Sequence, residues 1–199
     1  MRREPLNRAR RRPEAGMTLV ELMVAVGIFA LVAAALTAIL FSSTRLGTRT
    51  SARADVQATS RQAMSLLTTE LRQAGLDPTI PPVGIVGIVS GDSTSVHVRA
   101  DLNANGTLQT AEPSEDVTYT YVDSIGTLMR NPGTGSVAVM SGITDFRISY
   151  FDAANNPITT LPLDATNAAL VRSIGISLTA VEGEAAPVTL TTRVTLRNR

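Results

Sequence analysis

The chain has 199 residues, of which 44% are hydrophobic and only 4% aromatic. This length suits one globular domain with an additional element. Cysteine is absent, which excludes a disulfide framework, a thiolate metal site and a cysteine nucleophile. Residues 1–16 carry six Arg and two Glu and so have a net charge of +4. Because the whole chain has a net charge of +1, residues 17–199 have a net charge of −3. The body of the chain therefore has no electrostatic footprint for nucleic acid.

A long hydrophobic run follows the basic N-terminus. Residues 17–41 are apolar almost throughout, and residues 22–41 form a stretch of twenty without charge. A helix of that length spans roughly 30 Å, the thickness of a bilayer core. Because the Arg-rich residues 1–16 precede it, the positive-inside rule leaves the N-terminus in the cytoplasm. The sequence predicts a single membrane pass over residues 17–41.

Helical signals continue beyond the apolar run, but with an amphipathic pattern. One stripe carries apolar residues (Val56, Met64, Leu67, Leu71 and Ala74). Gly75 and then Pro78 provide a helix stop. We therefore expect one helix from about Thr18 to Ala74, within a helical region assigned to residues 17–75.

From residue 76 onward the sequence has β character. Eight stretches rich in β-branched residues are separated by Pro, Gly, Asn and Asp, namely Ile85–Val89, Thr94–Arg99, Val117–Val122, Thr127–Arg130, Ser136–Met140, Ile143–Phe151, Val171–Val181 and Val188–Leu196. Their connections are too short for crossover helices, so an antiparallel sheet is expected. The amphipathic half of the helix would cover its apolar face. The predicted fold class is α+β, with a β-rich globular domain over residues 76–199.

The junction between leader and helix reads Gly16-Met17-Thr18-Leu19-Val20-Glu21. With its basic leader and apolar continuation, it resembles the class III signal of type IV pilins and type II secretion pseudopilins. In that family a membrane aspartic peptidase, the prepilin peptidase, cuts after the Gly and methylates the new amine. The resemblance implies removal of residues 1–16, cleavage between Gly16 and Met17, and a pilin-like fold. Met17 departs from the usual Phe at the first mature position.

Glu21 is an acidic residue near the cytoplasmic end of an apolar helix. A carboxylate placed centrally in a bilayer costs about 2.5–3.5 kcal/mol, so it needs a partner. The resemblance implies that Glu21 pairs with the free α-amine of a neighbouring subunit as helices bundle in a filament. The alternative is an ordinary signal anchor whose Glu21 reaches the interface. A cleaved secretory signal fits less well, because its apolar region is usually about 7–15 residues.

Two further stretches narrow the resemblance. Thr69-Glu70-Leu71-Arg72-Gln73-Ala74-Gly75 resembles the helix end of PilW-type minor pilins. Val194-Thr195-Leu196-Arg197-Asn198 resembles the last strand of those proteins and of J-type minor pseudopilins. A minor pilin would start or cap a pilus filament. The implied partners are other pilin or pseudopilin subunits, the prepilin peptidase, an inner-membrane assembly platform and membrane lipid before assembly.

Three readings of function stay open at this point. The first is a minor type IV pilin, held in the bacterial inner membrane before it enters a periplasmic or extracellular filament. The second is a minor pseudopilin of a type II secretion system. The third is a single-pass anchored ligand-binding domain that does not polymerise. Gly16 and Glu21 argue against the third, since a plain anchor needs neither.

Residues 101–112 satisfy the calcium-loop pattern D-x-[DN]-x-[DN]-G-x5-E. The predicted ligands are six residues at alternating positions, with Thr107 acting through its carbonyl: Asp101, Asn103, Asn105, Thr107, Gln109 and Glu112. Glu115 or Asp116 offers an alternative closing carboxylate. Strands rather than EF-hand helices flank the loop, and a polar Asn-Gly hairpin loop explains the same residues. Calcium, if bound, would stiffen the domain and perform no chemistry.

Enzymatic activity is not expected. His97 is the single histidine, so a Ser-His-Asp arrangement would have to use it. It lies between Val96 and Val98 in an alternating strand, where a solvated strand histidine is the simpler interpretation. Nucleophile-elbow, phosphate-loop and dinucleotide motifs are absent from the sequence.

Overall fold

The hydrophobic run and its amphipathic continuation form one helix, α1. The computed structural model describes residues 16–109, 114–183 and 185–198. Helix α1 spans Leu19–Gln73, one residue shorter at each end than the predicted helix. It stops where Gly75 takes the left-handed φ of 79° that glycine adopts without strain. The predicted long helix and its glycine stop are confirmed.

The chain divides into two compact units between Leu46 and Gly47. In the first unit, described from residue 16, every residue is exposed. Large apolar side chains are among them, with Leu19, Phe29 and Phe41 each more than two-thirds exposed. Helix α1 is the one helix of the described residues that is long and apolar enough to cross a membrane. Such a surface is stable in lipid or against other apolar helices, and not in water.

The second unit holds nine strands in two antiparallel sheets. The strands are β1 (Ile88–Gly91), β2 (Ser95–Arg99), β3 (Asp116–Val122), β4 (Thr127–Asn131), β5 (Val137–Met140), β6 (Ile143–Phe151), β7 (Pro157–Ile158), β8 (Ser173–Ala180) and β9 (Val188–Thr195). The first sheet has the order β1-β2-β3-β4-β5, and the second has the order β7-β6-β8-β9. A 3₁₀ turn (Asp123–Ile125) and a short helix, α2 (Ala165–Leu170), complete the unit.

The core of the second unit lies between the two sheets and the later part of α1. The helix contributes a buried stripe of Val56, Ser60, Ala63, Met64, Leu67 and Leu71. Four of these residues were predicted, and the fifth predicted residue, Ala74, is buried just beyond the end of the helix. The first sheet contributes alternating residues such as Tyr119, and the second contributes Ile174 and Leu178. Every member of this cluster falls between Val56 and Leu196. Residues 47–199 therefore contain a complete core of their own.

All eight predicted strands are present, and the α+β class is confirmed. Strand β1 starts at Ile88 rather than at Ile85, because the Asp77 carboxylate accepts hydrogen bonds from Gly84 N (2.7 Å) and Ile85 N (3.2 Å) and holds that stretch in a loop. The prediction treated the strands as one sheet and had neither β7 nor α2. Sheet membership depends on long-range pairing, and both extra elements are shorter than periodicity can detect.

Candidate functional site

The predicted processing junction lies at the exposed start of α1. Gly16 and Met17 are exposed, and no atom outside its chain neighbours lies within 4 Å of the position that a Cβ on Gly16 would take. The first helical hydrogen bond runs from Leu22 N to Thr18 O at 3.1 Å. Residues 1–15 of the predicted leader lie outside the described residues. Among the described residues nothing shields the Gly16–Met17 bond from a protease.

Glu21 and Thr18 form a capping box at the N-terminus of α1. The Glu21 Oε2 atom accepts from both the backbone N and the hydroxyl of Thr18, and Glu21 N donates to Thr18 Oγ1, all at 3.3 Å. This reciprocal arrangement satisfies amides that the helix leaves free. Thr18 is not among the predicted site residues, although Thr-x-x-Glu is the signature of a capping box.

The capping box leaves the charge of Glu21 uncompensated. Thr18 offers a hydroxyl and an amide, both neutral donors. Glu21 is exposed, and it is the only charged residue between Gly16 and Arg45 in the sequence. A carboxylate in this apolar stretch gains most from a cation brought by another molecule, because opposite charges attract strongly where water is excluded.

The predicted calcium loop connects β2 to β3, as expected. Asp101 is fully buried, and its carboxylate accepts from Gly106 N (2.8 Å) and Asn105 N (3.3 Å). Asn103 Oδ1 accepts from Asn105 N at 3.1 Å, and Asn105 Oδ1 accepts from Thr107 N at 2.8 Å. The side-chain oxygens of three predicted ligands thus converge on the amides of their own loop.

Glu115 closes this loop from the other side. It is 1% exposed, and its two oxygens accept from Leu102 N (2.8 Å), Asn103 N (3.1 Å) and Gln109 N (3.0 Å). These three backbone hydrogen bonds compensate a carboxylate that would be costly to bury alone. Of the two alternative closing residues, Glu115 therefore lies at the loop.

Two carboxylates of the calcium prediction are not seen at the loop among the described residues. Glu112 lies outside the described residues. Asp116, the second alternative, is directed to His97 and Arg99 instead. Among residues 16–109, 114–183 and 185–198, no group of three or more His, Asp or Glu side chains is placed to hold a metal. Calcium binding here stays a prediction.

His97 lies on β2 with its side chain between those of Ser95 and Arg99, on the face opposite buried Val96 and Val98. Its Nε2 atom contacts Asp116 Oδ1, and Arg99 Nε donates to Asp116 Oδ2 at 2.9 Å. Within the described chain no hydroxyl is hydrogen-bonded to His97. The arrangement is a partly exposed cross-strand charge cluster rather than a nucleophile with its base.

A second charge cluster joins α1 to the first sheet. Glu70 of α1 accepts from Tyr119 OH at 2.7 Å and from Arg130 Nε at 3.0 Å, and Arg130 Nη2 lies 2.9 Å from Glu70 Oε1. Burial, together with the charge of Glu70, raises the pKa of the Tyr119 hydroxyl. Burial opposes the charge of Arg130, but Glu70 outweighs it and raises the pKa of Arg130. No local pattern pairs residues 60 positions apart, so this cluster cannot be predicted from the sequence.

Comparison with known proteins bears on the N-terminal region. Residues 11–37 match the family described as the prokaryotic N-terminal methylation motif. A comparison with curated proteins finds no match. The matched range includes the predicted cleavage junction, Glu21 and most of the apolar run, residues 17–37.

The chain therefore carries the signal of the type IV prepilin and pseudopilin class. Proteins of this class are processed by prepilin peptidase, are anchored in the membrane before assembly, and assemble with other pilins. They are structural subunits rather than enzymes, as the sequence analysis expected.

Proposed function

We propose that this prepilin-class protein is a minor type IV pilin that initiates or caps a pilus filament. The observation that carries the proposal is the exposed junction at Gly16 and Met17, followed by the exposed first part of α1, up to Leu46, which holds a single carboxylate, Glu21. The role is structural rather than catalytic. The protein is anchored in the membrane, is cleaved after Gly16 and then packs against other subunits. Its chemistry consists of cleavage and N-methylation by another protein and of one ion pair.

The exposed part of α1 serves two environments in turn. Before assembly, the apolar residues of 22–41 lie in lipid, with the leader on the cytoplasmic side. During assembly, the same surface packs against the helices of other subunits. In both environments the helix satisfies its own backbone hydrogen bonds, so transfer between them exposes no polar backbone.

Glu21 fixes the position of the helix along the neighbouring helices during assembly. Cleavage after Gly16 leaves Met17 as the first residue with a free amine. A neighbouring amine paired with Glu21 neutralises the only charge in the apolar part of the helix, so a helix displaced by one turn would leave both groups unpaired in an apolar setting. Thr18 holds the Glu21 side chain at the first turn, where an incoming amine reaches it.

The two stretches that resemble parts of minor subunits are in contact with each other. Gly75 ends the first stretch, and Asn198 ends the second. The Asn198 carbonyl oxygen lies 2.6 Å from the position of a Cβ on Gly75, and Asn198 Nδ2 donates to Gln73 O at 3.3 Å. Only glycine permits this approach, so the helix end and the chain end depend on each other.

The first experiment is to express the full chain with and without its native prepilin peptidase and to measure the intact mass and the N-terminal peptide. We expect a chain that begins at N-methylated Met17. The Gly16→Leu variant, tested beside it, should keep its leader. An uncut wild-type chain in the presence of an active peptidase would indicate that the protein is a membrane-anchored β-domain and not a prepilin.

A second measurement separates a minor subunit from a bulk subunit. Filaments sheared from the native host are quantified by mass spectrometry for this chain relative to the most abundant pilin. A minor role predicts a few copies per filament and a large loss of filaments when the gene is deleted. Equal abundance would make this chain a structural repeat unit instead.

The minor pseudopilin of a secretion system is the alternative within the same class. The methylation motif is common to both machines and does not separate them. Deletion of the gene distinguishes them, because loss of surface pili with intact secretion supports the pilin, and the reverse supports the pseudopilin. If the protein is an anchored ligand-binding domain, deletion of the gene need not affect either pili or secretion.

A further inference from the structure

Asn105 and Gly106 form the only Asn-Gly pair in the sequence, and they lie in the loop between β2 and β3. In such a pair the backbone nitrogen of the glycine can attack the side-chain Cγ of the asparagine, because glycine has no Cβ to hinder the approach. The proposed function makes no use of this pair. The hydrogen bonds around it, however, bring together the groups that this attack requires.

The side chain of Asn105 is fixed by an Asx turn. Its Oδ1 atom accepts from the backbone N of Thr107 at 2.8 Å and from the Thr107 hydroxyl, also at 2.8 Å. An Asx turn closes a hydrogen-bonded ring that contains both Asn105 Cγ and Gly106 N, so it keeps these two atoms close together. Two donors on one carbonyl oxygen also stabilise the negative charge that develops there when Cγ is attacked.

The attacking nitrogen already donates its hydrogen to a carboxylate. Gly106 N lies 2.8 Å from Asp101 Oδ2. Asp101 is fully buried, and its other oxygen, Oδ1, accepts from Asn105 N at 3.3 Å. These two hydrogen bonds hold the carboxylate in place beneath the Asn-Gly pair. A carboxylate that is withdrawn from water and directed at the hydrogen to be removed has the geometry of a general base.

Asn103, two residues earlier, provides a comparison within the same loop. Its Oδ1 atom also closes an Asx turn, because it accepts from Asn105 N at 3.1 Å. The residue that follows is Ala104, and no carboxylate of the described residues accepts from its backbone N. Both asparagines are exposed, so exposure and turn type do not distinguish them. Only Asn105 is followed by a glycine whose nitrogen contacts the Asp101 carboxylate.

We propose that this loop catalyses the deamidation of its own Asn105. Gly106 N passes its proton to Asp101 and forms a bond to Asn105 Cγ. The π electrons of the side-chain carbonyl move to Oδ1, where the two Thr107 donors stabilise them. As the carbonyl forms again, the bond from Cγ to Nδ2 breaks, and the proton held by Asp101 leaves with Nδ2 as ammonia. Water then opens the succinimide, and residue 105 becomes aspartate or isoaspartate.

The modification changes both the charge and the backbone of the loop. Aspartate adds one negative charge at residue 105, and isoaspartate adds the same charge together with one extra backbone carbon. Asn105 is exposed, so water reaches the succinimide and both products stay at the surface. Water is the single co-reactant. The inference depends on the folded loop alone and holds whether or not the protein enters a filament.

The test compares the full-length protein in detergent micelles with a capped peptide of residues 103–108, both in the same buffer with EDTA. Peptide mapping by mass spectrometry follows the conversion of Asn105 with time. We expect the folded protein to deamidate at least about tenfold faster than the peptide, since a positioned general base contributes about 10²–10⁴-fold. Asn103 in the same molecules should stay unchanged. A folded protein that deamidates at the rate of the peptide, or more slowly, would overturn the proposal.

Three variants separate catalysis from simple exposure. Asp101→Asn removes the base and should lower the rate of deamidation to that of the peptide or below. Thr107→Val removes the hydroxyl donor to Oδ1 and keeps the backbone donor, so it should slow the reaction at least about threefold. Thr107→Ser keeps the hydroxyl and should retain the wild-type rate. Thr107 is exposed, so its variants decide the question even if Asp101→Asn does not fold, and an unchanged rate in Thr107→Val would refute catalysis by the loop.

Discussion

Glu70 of α1 and Arg130 of β4 form a two-point ion pair that ties the helix to the first sheet, with N–O distances of 2.9 and 3.0 Å. The Arg130 side chain is 15% exposed and the Glu70 side chain 18%. Tyr119 OH completes the cluster at 2.7 Å from Glu70. Because all three groups are largely withdrawn from water, removing Glu70 leaves Arg130 and the Tyr119 hydroxyl without their shared partner.

The first prediction concerns this cluster. Glu70→Ala should lower the free energy of unfolding by about 2–3 kcal/mol, because it leaves a largely buried guanidinium and hydroxyl unpaired. Urea denaturation of residues 47–199 measures this loss. The exposed pair Arg147–Asp145 is the control, with side chains 69% and 48% exposed. Asp145→Ala should cost less than about 0.5 kcal/mol. Similar losses in the two variants would contradict a structural role for Glu70.

A second prediction separates two adjacent leucines of α1. Leu67 is completely buried in the core, whereas Leu66 is 40% exposed. Leu67→Ala should destabilise the 47–199 unit by about 2–5 kcal/mol through lost burial and the cavity left behind. Leu66→Ala should change the free energy of unfolding by less than about 1 kcal/mol. Equal effects would mean that the helix does not pack through this stripe.

A third prediction follows from Asp116. Burial acts to raise the pKa of its carboxyl, but His97 and Arg99 outweigh burial and lower the pKa below its ordinary 3.8. The unfolded chain therefore binds the proton more tightly than the folded one. The stabilisation is present above about pH 4 and is lost as the pH falls through the lowered value. Asp116→Asn should show a shallower fall in stability than wild type below pH 4 in acid titrations followed by circular dichroism. An unchanged slope would rule out this contribution.

The fourth prediction tests Glu21 against Thr18. Glu21→Ala should insert into the membrane and be cleaved, but it should enter filaments poorly, because the neighbouring amine loses its counter-charge. Thr18→Ala removes the capping hydroxyl and keeps that charge, so it should assemble far better. The ratio of filament to membrane protein on immunoblots measures both. Normal incorporation of Glu21→Ala would refute the pairing role.

The fifth prediction tests the loop at residues 101–112. A loop with few carboxylates binds Ca²⁺ with a Kd of about 10⁻⁴–10⁻³ M. At 5 mM Ca²⁺ the 47–199 unit should then gain about 1–2 kcal/mol, which is a rise of a few degrees in Tm. Mg²⁺ should have little effect, and Asn103→Ala should reduce the shift. No change in Tm at several millimolar Ca²⁺ would rule out the calcium site and support the alternative, a polar Asn-Gly loop.

The stability measurements need a fragment of the chain that keeps its core, and the structure shows where that fragment begins. The sequence analysis assigned the β-rich domain to residues 76–199 and expected the amphipathic half of the helix to cover its sheet. Side chains between Val56 and Leu71 of α1 contribute to the core. A fragment that begins at residue 76 would expose the inner faces of both sheets. The unit that begins at Gly47 keeps them covered, because it retains the buried helix stripe.

Local patterns in the sequence determined the long helix, its glycine stop and the strands, and they predict the processing junction and the role of Glu21. Each of these depends on spacing, charge or turn chemistry within a few residues, which a single sequence displays directly. The capping role of Thr18 belongs with them, since its signal is three residues long.

Only the tertiary structure decided the division into two sheets, the Glu70–Arg130 pair, the use of Asp116 by His97 and Arg99, and the position of β9 at the edge of its sheet. These relationships join residues that are far apart in the chain, and their free energy depends on which groups folding withdraws from water. Periodicity shows that a strand exists, but it does not show which strand is its neighbour. The edge of a sheet is therefore a property of the fold, and it becomes visible only when the partners are in place.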